Sequence, residues 1–94
     1  MTNDDLVDAV AQGDQDAFAL FYDRLAGPVF GLIRTLVEDR VRAEEIAYEV
    51  FLDLWRTAPR YQPGRGGADA WALALAHRHA VGQSHTRSRD RLSR

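Results

Sequence analysis

From Phe18 to Leu36, eight apolar residues (Phe18, Phe21, Tyr22, Leu25, Val29, Leu32, Ile33 and Leu36) keep one helical phase, and they keep it across Gly27-Pro28. Steps of three and four place such residues on one face of a helix. A proline in a helix interior removes one hydrogen bond and crowds the preceding turn. A stripe in phase on both sides of Pro28 therefore predicts a kinked or restarted helix here, and not a loop. No stretch of the chain shows the period-two alternation of a half-buried strand. The expected fold is all-α, a compact bundle of about four helices.

The other helices follow from stop and start signals. A first helix is expected from Asp4 to Ala11, with Leu6, Val7 and Val10 inward, Gly13 ending it and Asp14 capping the next. A third begins at Asp39 or Val41 and ends by Ala58-Pro59. Ala43, Ile46, Ala47, Val50, Phe51, Leu54 and Ala58 form its core face, and Glu44 and Glu45 are expected in its first turn, beside the positive end of the helix dipole. Pro59 to Gly67 reads as a loop. A fourth helix opens near Ala68 and runs to at least Val81; its first two turns are apolar nearly all round, which predicts burial on several sides. The compact domain is expected over residues 1–82. Residues 83–94 are a polar, Arg-rich tail, expected to fray or to begin a linker to a missing second domain. The side chains expected to hold the core are Phe18, Phe21, Leu32, Leu36, Ile46, Val50, Leu54 and Trp71.

Charge divides the chain. Residues 1–55 carry twelve acids and four arginines, a balance of −8, and residues 56–94 carry eight arginines against Asp69 and Asp90, a balance of +6. Such asymmetry suits one face for a basic partner and another for a polyanion. All twelve basic residues are arginine; a GC-rich genome would give the same usage, and arginine also suits phosphate contacts better than lysine. The chain has no cysteine, which removes disulfides and thiolate metal sites and fits a reducing cytoplasm, the expected location. Met1 to Asp5 lacks the features of a signal peptide, and the longest apolar run, Ala70 to Ala76, is too short to span a bilayer, so no membrane insertion is expected.

Two surfaces stand out. On the third helix Tyr48, Leu52 and Trp55 follow i, i+4, i+7 beside Glu45, Glu49, Asp53 and Arg56. An apolar stripe edged by carboxylates suits a basic helical partner; the plainer alternative packs Leu52 and Trp55 on neighbouring helices and leaves the acids solvated. The loop combines Arg60, Tyr61 and Arg65 with three glycines. Arginine neutralises phosphate, an aromatic ring stacks on an unpaired base, and glycine admits close backbone approach. An ordinary connection would also contain Pro and Gly, and a lone tyrosine can simply plug the core. Arg78 on the fourth helix adds positive charge. His77 and His79 point in different directions on a helix, so no metal site is expected and no cofactor is called for. No nucleophile–base set or paired carboxylates suggest an enzyme.

The segments Asp14-Gln15-Asp16-Ala17-Phe18, Ala43-Glu44-Glu45-Ile46, Glu49-Val50-Phe51-Leu52-Asp53-Leu54-Trp55-Arg56, and Ala70-Trp71 with Ala76-His77-Arg78-His79-Ala80-Val81 resemble region two of bacterial sigma factors, most of all the extracytoplasmic-function (ECF) group. The likeness covers about Leu6 to Val81. It implies a sigma region two-like bundle that acts in transcription initiation without catalysis of its own. Glu45, Tyr48, Glu49, Leu52 and Asp53 would face the clamp helices of the largest core RNA polymerase subunit. Arg56, Arg60, Tyr61, Arg65, His77, Arg78 and His79 would face the single-stranded minus-ten promoter element, which the domain would melt and read. Trp71 would belong to the core, and an anti-sigma factor would be a further partner. Tyr48 stands where the family usually has glutamine, and Gly82-Gln83 where it has Asp-Arg. The chain stops at Arg94, before any second helical domain, as an excised domain or truncated chain would. The alternative is a protein-interaction module of the same fold that binds a regulator or polymerase without opening DNA.

Overall fold

Thr2 begins the fold with a closed capping box. Its hydroxyl accepts from the Asp5 amide at 3.1 Å, and the Asp5 carboxylate accepts from the Thr2 amide at 3.0 Å. These two bonds to Thr2, the backbone one first, hold the Asp5 carboxyl below its ordinary value. The computed structural model describes residues 1–63 and 66–92, with side chains as far as residue 82. Helix α1 spans Asn3–Ala11, α2 Gln15–Leu36, α3 Arg40–Thr57 and α4 Gly67–Leu92, with a short 3₁₀ turn at Ala58–Arg60.

Gly13, at φ +88°, turns the chain between α1 and α2, a conformation that side chains with a Cβ avoid. Asp14 then caps α2 by accepting from the Ala17 amide at 3.0 Å. Helix α2 neither restarts nor opens at Gly27-Pro28; Pro28 lies inside it. Pro28 is exposed, while Ala17, Phe21, Leu25, Val29 and Ile33 are buried at a spacing of four. Burying each large side chain contributes about 1.5–3 kcal/mol, which outweighs the roughly 3 kcal/mol interior proline penalty. The stripe is narrower than the sequence suggested: Tyr22 is 47 % and Leu36 39 % exposed, so neither belongs to the core.

Asp39 caps α3 by accepting from the Val41 amide at 3.0 Å. Glu44 and Glu45 lie beyond the first turn, contrary to expectation, and pair instead with Arg40 at 3.4 Å and Arg42 at 2.8 Å. Ala43, Ile46, Val50, Phe51 and Leu54 form the buried face. The presumed loop is shorter than Pro59–Gly67, because Pro59 sits in the 3₁₀ turn and Gly67 already opens α4.

On α4, Ala68, Ala72, Leu75, Ala76 and Ala80 are buried and Ala70 and Ala74 exposed. The helix is thus buried along one face and not on several, since alanine is small enough to sit in water at little cost. Its backbone continues to Leu92, past Gly82, the expected end of the compact domain; Gly82 does not adopt a positive φ, so it costs about 1 kcal/mol relative to alanine without terminating the helix. Helix α2 packs against each of the other three, α4 against α2 and α3, and α1 reaches both the 3₁₀ turn and α4. Phe18, Leu32 and Trp71 are only half-buried, at the edge of the core. Among the described residues no polar or charged side chain is buried.

Candidate nucleic-acid interface and docking face

With Ile46, Val50 and Leu54 turned inward, the helical repeat sends Glu45, Tyr48, Glu49 and Leu52 into solvent. Tyr48 is 68 % and Leu52 44 % exposed. Trp55 leaves this stripe, because its ring packs edge-on against Phe18 at 5.1 Å between centroids. Asp53 leaves it as well: half-buried, its Oδ2 lies 3.0 Å from His79 Nε2. The exposed stripe is continued instead by α2. Tyr22, Ala26, Gly27 and Phe30 join Glu44, Ala47, Tyr48 and Phe51 around an open groove of about 570 Å³. Tyr22 lies against Phe51 at 4.6 Å.

The loop builds a second groove. Tyr61 lies on Trp71, with ring centroids 4.8 Å apart and planes inclined by 37°. These two line an open groove of about 530 Å³ together with Arg60, Gln62, Ala70 and Ala74. Arg60 is exposed. The Tyr61 hydroxyl donates to Asp4 Oδ2 at 3.1 Å, and Asp4 Oδ1 accepts from the Ala68 amide at 2.7 Å. Asn3 donates to Asp69, and Arg24 donates to Asn3 and to the Met1 carbonyl. The start of α1 is therefore tied to the start of α4. Arg65 lies outside the described residues. Gly66 and Gly67 both carry positive φ, at +90° and +86°, where a side chain would be strained.

Partial burial, then the bond to Asp4 and the negative charges of Asp4 and Asp69, raise the Tyr61 hydroxyl above the ordinary phenol value. A folded pKa above the unfolded one stabilises the fold below the ordinary phenol pKa and loses that contribution as pH rises through the raised value. Tyr61→Phe should therefore melt with a shallower decline than wild type across the alkaline range. Identical alkaline profiles would show that the hydroxyl is not held in this way.

His77 and Arg78 are exposed on α4, whereas His79, half-buried, turns to Asp53 on α3. Arg56 is exposed in the last turn of α3, where a cation also suits the helix dipole. Among the described residues the ion pairs are Arg40–Glu44, Arg42–Glu45 and His79–Asp53, so Arg56, Arg60 and Arg78 keep their charge toward solvent. The sequence-predicted polyanion set thus divides: Arg60 and Tyr61 share one groove, His77 and Arg78 project from α4, and His79 is joined to an acid assigned to the other surface. Among the described residues no helix is long and apolar enough to cross a membrane.

Residues 21–91 match the sigma-70 region 2 family. An ECF RNA polymerase sigma factor SigK of Mycolicibacterium vanbaalenii is 46 % identical over 78 residues, covering 83 % of this chain and 40 % of that protein. Its namesake in Mycobacterium ulcerans is 42 % identical over 76 residues, covering 81 % and 41 %. The chain spans about two fifths of the length of these relatives. The solved structure of an engineered region 2 of sigmaE in complex with GTAAAA superposes with a TM-score of 0.85 over 96 % of this chain and 93 % of that one, at 24 % identity, and so shares the fold. By the matched segment, these relatives and the shared bundle, the chain belongs to the sigma-70 region 2 family and is a relative of the ECF sigma factors.

Proposed function

We propose that this domain acts in transcription initiation, docking on core RNA polymerase through the outer face of α3 and holding the single-stranded minus-ten promoter element at the loop and α4. The observation that carries the reading is the open groove in which exposed Arg60 flanks the Tyr61–Trp71 pair. Arginine beside aromatic faces is the combination that grips a phosphate while a base stacks. The sigmaE region 2 structure with GTAAAA supports the same use of the fold, and the names of the SigK relatives support a polymerase partner. Glu45, Tyr48, Glu49 and Leu52 would meet the basic clamp helices, and an anti-sigma factor would cover part of the same face. Melting of the promoter would consist in trapping bases that have left the stack.

A titration with single-stranded GTAAAA and permuted strands at two salt concentrations tests this. Binding by the domain is expected to be weak, strand-selective and salt-sensitive. Arg60→Ala should weaken all strands alike and make the log–log salt slope shallower by about 0.7, the value for one phosphate contact on a single strand. A domain that shows no strand preference even when assembled with core polymerase would overturn the DNA-reading half. The second reading, an interaction module that does not open DNA, draws on the internal engagement of two assigned contacts, Tyr61 with Asp4 and His79 with Asp53. It expects competition for polymerase without strand preference.

A further inference from the structure

We infer that Asp4, on α1, is a positioning residue for strand selection: its carboxylate sets the placement of Tyr61 on Trp71 and of the first turn of α4 without touching the strand. This rests on the DNA-reading function proposed above. Three features of the molecule lead to it. Helix α4 opens with Gly67 as its first residue and Gly66 before it, and neither has a side chain to accept from the free amides of the first turn. Asp4 supplies that acceptor from 64 residues away, its Oδ1 2.7 Å from the Ala68 amide. Its other oxygen takes the Tyr61 hydroxyl at 3.1 Å. One carboxylate therefore fixes both ends of the segment between the 3₁₀ turn and α4, and with them the placement of Tyr61 on Trp71. Asn3, bonded to Asp69 and to Arg24 of α2, holds the same end of α1 in place. Asp4 lies outside residues 21–91, the segment that matches the family.

A purely electrostatic role makes the opposite forecast from a positioning role, so the two are distinguishable. An acid near a polyanion repels it; if that were all Asp4 did, Asp4→Asn and Asp4→Ala would tighten every strand equally and leave selectivity alone. Positioning depends on an acceptor for Ala68 and a partner for Tyr61. Asparagine keeps the first through its carbonyl oxygen and the second through its amide, toward which the hydroxyl can turn and accept. Alanine keeps neither.

The test uses the whole 94-residue chain and single-stranded GTAAAA against permuted strands of the same composition, with binding and ring contacts followed by NMR. Asp4→Ala is expected to lower the ratio of affinities by roughly fivefold, the low end of what one mismatched position costs, and to remove the Tyr61–Trp71 ring contact. Asp4→Asn is expected to keep both. Thr2→Ala, which weakens the α1 cap but leaves Asp4 intact, serves as a control of lowered melting temperature and should retain the ratio. Wild-type selectivity in a folded Asp4→Ala overturns the inference, and so does equal tightening by both Asp4 variants. Loss of selectivity in Thr2→Ala to the same degree overturns it also, because a general loosening would then suffice. A wild-type chain that binds strands without preference both alone and assembled with core polymerase overturns the DNA-reading function itself, whatever the ring contact in Asp4→Ala shows.

Discussion

Leu54→Ala is expected to lower folding stability by about 2–5 kcal/mol, the range for removing a buried leucine side chain and leaving the space unfilled. Leu54 is 1 % exposed on the inner face of α3, in one cluster with Ile46, Val50 and Phe51. Because α3 packs against both α2 and α4, the space left there has rigid walls on more than one side. A domain of this size has a total stability of about 5–15 kcal/mol, so the loss is a large fraction of the whole. Thermal and urea melts measure it. Leu36→Ala is the matched comparison: 39 % exposed at the end of α2, it should change stability by less than about 1 kcal/mol. Equal effects at the two positions would mean that the inner face of α3 is assigned wrongly.

The second large effect concerns the docking face. Glu49→Arg combined with Tyr48→Ala is expected to weaken binding to core RNA polymerase by about a hundredfold, since placing like charges together at an interface costs several kcal/mol. Both side chains are exposed on α3, and Tyr48 borders the groove shared with Tyr22 and Phe30. Asp53, although assigned to the same face, is a poorer probe. Its carboxylate meets His79 on α4, so reversing it would disturb the packing of two helices as well as the partner contact. Helix content by circular dichroism should match wild type. A double variant that still competes for polymerase would place the docking face elsewhere.

Local signals are legible in the chain because their physics is local. The cap at Asp14, the start of α3 near Asp39, the glycine turn at Gly13 and the inward faces of α1 and α3 each depend on residues within a few positions of one another. Helical periodicity, by contrast, leaves the width of a face open. Tyr22 and Leu36 keep phase with α2 yet lie on its flank, while Ala17 completes the buried row instead. On α4 a run of alanines resembled a helix enclosed on several sides, but alanine tolerates both burial and exposure. Nothing local could reveal the bond of Tyr61 to Asp4, 57 positions away, or of His79 to Asp53, 26 away. Those contacts exist only once the bundle brings α1 to the 3₁₀ turn and α4 to α3, and they determine how the candidate interface is laid out.

The alanine face of α4 has a mechanical consequence. Ala68, Ala72, Ala76 and Ala80 give a smooth seam with short teeth, and Leu75 is the single bulky side chain fully buried on that helix among the described residues. A smooth seam resists separation, because close contact is retained along its length, but it offers little friction against sliding along the axis. The axial setting of α4 therefore falls to Leu75 and to three lateral ties: Asp4 to the Ala68 amide, Asn3 to Asp69, and His79 to Asp53. Two of these ties act at the first turn and one in the fourth, so the helix is fastened like a rail at two stations, and the residues between them, Trp71 included, are carried to a fixed height beside Tyr61.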